Sequence, residues 1–239
     1  YFETSQATGC TGLKLMKPAI VLLAAGSGSR FGHATNKVWL PLLKQSVISH
    51  TITNAHKAFP DAPLLLIINP DDEEIALKII ESELPQIKIE IAYGGVTRHG
   101  SEYHALMHLA HDIEAGNIDV VLIHDGARPL ATPELYRKIA QVAFENGGAI
   151  PTTTINPAEI DISHDTQIVR VQTPQGFRAK EVLQAYKSAE VDGFIGTDTG
   201  ACVEKYFPKI KAVAVEAEVA NLKITFAQDL QVAQALLTS

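Results

Sequence analysis

The sequence predicts an α/β fold: a mostly parallel, twisted sheet with helices on both faces and a protruding β-arm. Three observations carry that prediction. Residues 19–23 and 63–68 are short, continuous apolar runs, and 118–123 is one broken only by Asp119; such runs rich in branched side chains are the signature of strands buried on both faces. Segments of helical character separate them, and strand–helix alternation belongs to parallel sheets, whose crossovers need a helix. The first run also opens straight into a glycine-rich loop, Gly26-Ser-Gly-Ser-Arg-Phe-Gly32. The carboxyl ends of such strands are where open α/β sheets bind ligands.

Taken in order, residues 47–59 read as a helix and residues 63–68 as a strand ended by Asn69-Pro70. A helix follows over 71–84, a strand over 87–93, a helix over 98–113 and a strand over 118–123 that leads into His124-Asp125. Thr132 is a natural N-cap with Pro133 in the first helical position, and Gly147-Gly148 stops that helix after Asn146. Between 149 and 171 the pattern changes to β-branched segments around a polar Ser163-His164-Asp165 turn, which reads as an antiparallel arm over about 150–171. An arm of this kind has an apolar edge to cover, so pairing with a second subunit is expected. Residues 18–239 are read as a single domain. Residues 1–17 lack periodicity and signal-peptide features, and are read as a tail or expression remnant with Met16 as a natural start.

Composition narrows the function classes. Hydrophobic residues at 46% and charged residues at 20% describe a globular chain, and the net charge of −7 argues against a general nucleic-acid binder, which shows a basic face. An anionic ligand therefore needs a local cluster of cations. Two cysteines, Cys10 and Cys202, make neither a C-x-x-C pair nor a disulfide framework, in keeping with a reducing, cytoplasmic setting. No apolar run approaches the roughly 20 residues of a membrane helix.

The glycine loop is the strongest chemical signal. Gly26 and Gly28 let backbone N–H groups approach phosphate oxygens closely, while Arg30 and Lys37 supply charge. The spacing departs from the dinucleotide fingerprint, which needs glycine where Phe31 stands, and no Gly-Lys-Ser/Thr step supports a P-loop. Gly94-Gly95, with Arg98 and Ser101 opening the next helix, offers bare backbone against which a flat base can lie. Asp125 ends a buried strand and is well placed to bind Mg²⁺ together with substrate phosphates. Gln172-Thr-Pro-Gln-Gly-Phe177 reads as a rigid polar turn, and Thr197 or Asp198 as a cap or a ligand contact. Asn221-Leu-Lys-Ile-Thr225 alternates like a strand and presents Lys223. His104, His108 and His111 share a helical face but lack the glutamate of the zinc-protease motif, and read as a solvated face.

These residues, in this order, resemble the 2-C-methyl-D-erythritol 4-phosphate cytidylyltransferase family from about Pro18 onward. The shared motifs are Ala24-Ala-Gly-Ser-Gly-Ser-Arg30, Lys37, Gly94-Gly95 with Arg98 and Ser101, His124-Asp-Gly-Ala-Arg-Pro129, Gln172-Thr-Pro-Gln175, Thr197-Asp198 and Asn221-Leu-Lys-Ile-Thr225. The resemblance implies a Rossmann-like nucleotidyltransferase fold, a homodimer locked by the β-arm, and Mg²⁺-dependent transfer of CMP from CTP to a sugar-alcohol phosphate. It implies that Arg30, Lys37 and Lys223 are catalytic, and that Ala24, Ala25, Gly26, Gly28, Ser29, Gly94, Gly95, Arg98 and Ser101 bind CTP. Asp125, Arg128, Thr173 and Thr197 would then contact substrate, with Asp125 on the metal. The chain departs from the family in the arm, where Thr152-Thr-Thr-Ile-Asn156 replaces an Asp-Thr-x-Lys run, and Asp165 stands where an arginine is expected. Val38 follows Lys37 where the family has glutamine. These changes spare the CTP side. Ribitol 5-phosphate therefore stays open as an acceptor beside 2-C-methyl-D-erythritol 4-phosphate, as does a degenerate relative that only binds nucleotide.

Overall fold

The computed structural model describes residues 16–26, 36–154 and 169–238. β1 (Pro18–Leu23) forms the middle of the sheet because its side chains are apolar in both directions: Ala19 and Val21 enter one core layer, Ile20 and Leu22 the other. After β1 the chain makes a short 3₁₀ turn (Lys37–Trp39) and a two-stranded hairpin of β2 (Pro41–Leu42) and β3 (Gln45–Ser46). Ser46 then caps α1 (Val47–Ala58), its hydroxyl accepting from the Ser49 N–H. β4 (Leu64–Ile68), α2 (Glu73–Glu83) and β5 (Glu90–Tyr93) complete the first half.

The second half runs through α3 (Arg98–His108), α4 (Ala110–Glu114), β6 (Val120–Asp125), α5 (Pro133–Asn146) and β7 (Gly148–Thr154). It continues with β8 (Val169–Val171), β9 (Gln175–Arg178), α6 (Ala179–Asp192), α7 (Thr199–Tyr206), β10 (Val213–Glu216) and α8 (Ala227–Thr238). Among the described residues the main sheet has the order β10-β7-β9-β6-β1-β4-β5, with β8 paired to β7. β1 pairs in parallel with β4 and β6, and β4 with β5; β9 runs antiparallel to both β6 and β7. β7 and β8 are antiparallel, Thr152 opposite Val171. Helices α1, α2 and α5 cover one face, and α3, α4, α6 and α7 the other. No helix among the described residues is long and apolar enough to cross a membrane.

Local signals set several boundaries. The Thr132 hydroxyl accepts from the Leu135 N–H at the start of α5, and Gly147 ends that helix at φ 98°, a left-handed value that favours glycine. Three expectations need correction. The helix expected over 98–113 is two helices separated at Leu109, whose N–H turns to both Ala105 and Met107 carbonyls. The turn expected over 172–177 is largely strand β9, which fills the sheet between β6 and β7. Residues 221–225 form no strand: buried Asn221 and Ile224 tie the segment down, and the Ile224 N–H donates to the Ala127 carbonyl at 2.8 Å.

Candidate active site

The chain leaves β1 toward β4 and β5, then returns to place β6 on the other flank of β1. The order therefore reverses between β1 and β6, and a crevice opens at the carboxyl ends of these strands. It has a volume of about 570 Å³. Ala24, Ala25 and Gly26 form its floor, Lys37, Arg98 and Lys223 bring cations to it, and Asp125 is the only carboxylate on its lining among the described residues.

Asp125 is held by its neighbours. Burial alone would raise its pKa, but the charges of Arg98, Lys223 and Arg128 prevail and hold the carboxyl well below the usual carboxylate range. Arg98 Nη1 meets Oδ1; Lys223 Nζ lies 2.9 Å and Arg128 Nε 3.4 Å from Oδ2. Their exposures differ in a way that assigns work. The Arg98 and Lys223 side chains are 31% and 39% exposed, so they can turn to a ligand, whereas Arg128 is 10% exposed and its Nη1 donates to the Asn221 carbonyl at 2.7 Å. Two partly exposed cations and one buried one thus surround a single carboxylate.

Beneath Asp125 lies a neutral layer. The Thr173 hydroxyl oxygen accepts from the Asp125 N–H at 3.0 Å and donates to His124 Nδ1 at 3.0 Å. His124 Nε2–H donates to the Arg128 carbonyl at 3.2 Å, which fixes the tautomer. Burial pushes the imidazole down to about 3, so it is neutral. Thr173, expected to touch substrate, has its hydroxyl spent inside this network and is buried. Thr173 and Arg128 thus both bond Asp125 in this structure.

The opposite wall is the Gly94-Gly95 turn. A Cβ on Gly94 would stand 2.5 Å from Ala25 Cβ, so the two loops close on each other where no side chain fits. The Ser101 hydroxyl accepts from the Gly95 N–H at 3.1 Å and donates to the Thr97 carbonyl at 3.0 Å, fixing the turn to the start of α3. Gly95 and Ser101 line the crevice, while Gly94 packs beneath it. Thr197 is exposed and absent from the lining; its neighbour Asp198 caps α7, accepting from the Ala201 N–H at 2.8 Å. Gly28, Ser29 and Arg30, and in the arm Asn156 and Asp165, lie outside the described residues.

Two residues escape the motif reading. Asn36 donates from Nδ2 to the Ala24 carbonyl at 2.6 Å and caps the 3₁₀ turn, which brings Lys37 to the crevice. Glu102, 1% exposed, binds Arg98 from behind. An Asn before a crevice lysine and a glutamate one helical turn after an arginine are weak signals in a sequence, since each is also an ordinary cap or ion pair.

The donor set also bears on a metal. No group of three or more His, Cys, Asp or Glu side chains converges among the described residues. Mg²⁺ commonly works with one or two carboxylates plus substrate phosphates. Asp125 fits that arrangement and not a protein-built cage. Ligation by Asp125 requires Arg98 or Lys223 to exchange the carboxylate for a phosphate, because both oxygens are already paired.

Comparison with known proteins agrees with this geometry. The family model described as 2-C-methyl-D-erythritol 4-phosphate cytidylyltransferase matches residues 19–239. Relatives bearing that name include one from Bacillus cytotoxicus, 30% identical over 226 residues, covering 91% of this chain and 96% of its own. Another, from Synechococcus sp., is 33% identical over 230 residues with the same coverage. The crystal structure of 4-diphosphocytidyl-2C-methyl-D-erythritol synthase from Anaerococcus prevotii superposes with a TM-score of 0.75 at 26% identity, covering 94% of this chain and 97% of that one. With Gly26, the Asp125 cluster and the reversed strand order all at the same crevice, the chain belongs to the 2-C-methyl-D-erythritol 4-phosphate cytidylyltransferase family.

Proposed function

We propose that this chain transfers the cytidylyl group of CTP to 2-C-methyl-D-erythritol 4-phosphate, releasing pyrophosphate, as a step of isoprenoid precursor synthesis. The observation that carries the reading is the convergence of Arg98, Lys223 and Arg128 on one carboxylate, Asp125, at the β1–β6 crevice that Lys37 also lines. Family membership over nearly the whole chain supports it.

In this reading a phosphate oxygen of the acceptor attacks the α-phosphorus of CTP in line, a P–O bond forms, and the bond to the pyrophosphate oxygen breaks. Such chemistry needs placement and charge neutralisation, and no covalent nucleophile on the enzyme. Ala24, Ala25, Gly26, Gly28 and Ser29 cradle the triphosphate, and Arg30 and Lys37 neutralise the charge that grows on the departing pyrophosphate. Gly95 and Ser101 receive the base and ribose. Lys223 leaves Asp125 to meet the acceptor phosphate, while Arg128 and Thr173 keep the carboxylate in place. Mg²⁺ carried on the triphosphate would supply further charge neutralisation, with Asp125 as its one carboxylate ligand. The working unit is proposed to be a cytoplasmic homodimer paired through the arm.

Pyrophosphate release from CTP and Mg²⁺ with a panel of methylerythritol and pentitol phosphates tests the proposal. Turnover with 2-C-methyl-D-erythritol 4-phosphate is expected. Preference for ribitol 5-phosphate would move the acceptor, as the altered arm residues Asn156 and Asp165 allow, and silence with every acceptor would refute the transferase reading.

A further inference from the structure

Glu102 is a buried charge that the proposed chemistry does not use. It lies on α3 one turn after Arg98, with 1% of its surface exposed. Oε1 accepts from Arg98 Nε at 3.0 Å and from the Thr199 hydroxyl at 3.2 Å; Oε2 accepts from the Tyr186 hydroxyl. Donors from α3, α6 and α7 therefore meet on one carboxylate. Arg98 in turn reaches forward, so that its guanidinium is gripped at Nε by Glu102 and at Nη1 by Asp125.

A charge in this position is not explained by stability. Well-packed apolar residues often replace a buried ion pair at no cost, while burial here raises the pKa of Glu102 against the opposing pull of Arg98. What a carboxylate adds is direction: an arginine has many rotamers, and a charge-assisted bond from a rigid helix selects one. Arg98 is the wall cation that faces both the crevice and Asp125.

We propose that Glu102 is a positioning residue: it fixes the Arg98 guanidinium, and through it the Asp125 carboxylate, in the geometry that receives CTP, and ties that geometry to α7 through Thr199. The proposal rests on the crevice being the CTP site.

Glu102→Gln keeps the shape and removes the charge. CTP titration by calorimetry, steady-state kinetics and solvent exchange of the Arg98 Nε–H by ¹⁵N NMR are to be read together with a thermal melt. Expected are a CTP dissociation constant and KM raised about tenfold, faster Arg98 Nε–H exchange and a still cooperative unfolding transition. Tyr186→Phe and Thr199→Val, each removing one hydroxyl from Glu102, should shift CTP affinity the same way by about two- to threefold. A folded Glu102→Gln protein with wild-type CTP affinity and unchanged Arg98 exchange would overturn the proposal. Should that variant fail to fold, wild-type affinity in both hydroxyl variants would overturn it instead. Wild-type protein that binds no CTP would sink the reading of the crevice, and the exchange measurement would still decide whether Glu102 holds Arg98.

Discussion

β1, β4 and β6 bury almost every side chain on both faces, while β8 and β10 at the far edge of the same sheet leave Val169, Val171 and Val213 between 37% and 44% exposed. The residue types are alike in the two regions; their surroundings are not. The centre is covered by helices of its own chain, and Asp125 at the end of β6 is buried among its three cations. Branched apolar side chains on an uncovered edge are a surface that other strands can pair with. The contrast teaches that the described centre of the sheet is covered by its own chain, and that the edge is finished, in our reading, by a second copy.

Removing the central charge tests this most severely. Asp125→Asn leaves Arg98, Arg128 and Lys223 facing one another without a counter-charge, and is expected to lower pyrophosphate release about a hundredfold and stability by about 3–5 kcal/mol in urea melts. Lys37→Ala, or Arg30→Ala in the glycine loop, should lower kcat at least about tenfold with an unchanged melt, because each is proposed to neutralise charge that develops on the departing pyrophosphate. Equal turnover in both variants would remove these lysine and arginine roles.

Acid should loosen the centre before the edge. His124 is held neutral down to about 3 in the folded chain, while an unfolded histidine takes up its proton near 6.5. The unfolded state therefore binds more protons over that window, and stability falls as pH drops from about 6.5 toward 3. Asp125 adds to the loss only below the unfolded carboxylate value of about 3.9, since its folded carboxyl is held lower still. Denaturant melts at pH 7.5, 5.5 and 4.5 read this directly, and a flat profile between 7.5 and 4.5 would contradict a neutral buried His124. The smallest intramolecular effect belongs to the edge. Val171→Lys is expected to leave CTP affinity and the single-chain melt within error while abolishing self-association in sedimentation, and a wild-type monomer at micromolar protein would break the contrast from the other side.

How much of this was written in the sequence depended on the range of the forces involved. Thr132, Pro133 and Gly147 act within one helical turn, and they predict α5 to the residue. The apolar runs of β1, β4 and β6 say where they belong because burial on both faces leaves no room for polar side chains. Asp125 and the three cations are each visible as motif residues, yet their convergence joins positions 98, 125, 128 and 223, which only the strand order brings together. Residues 221–225 mimic a strand by alternation, but their backbone N–H groups turn to scattered partners, the Glu218, Ala220 and Ala127 carbonyls and the Asp229 carboxylate, and the burial of Asn221 and Ile224 comes from tertiary packing. Thr173 reads either way in sequence, since a hydroxyl before proline can contact a ligand or bond internally, and its bonds to His124 and the Asp125 amide join residues 49 and 48 positions apart.

The contact between Gly94 and Ala25 carries an evolutionary consequence. A methyl group at position 94 would collide with Ala25 and with the Ser101 hydroxyl, at 2.5 and 2.7 Å, so mutation has almost nothing to try there. Selection for a new acceptor, or an engineer seeking one, must leave that seam alone and work from Val96, Thr97 and Thr225 around its margin, where side chains have room to vary.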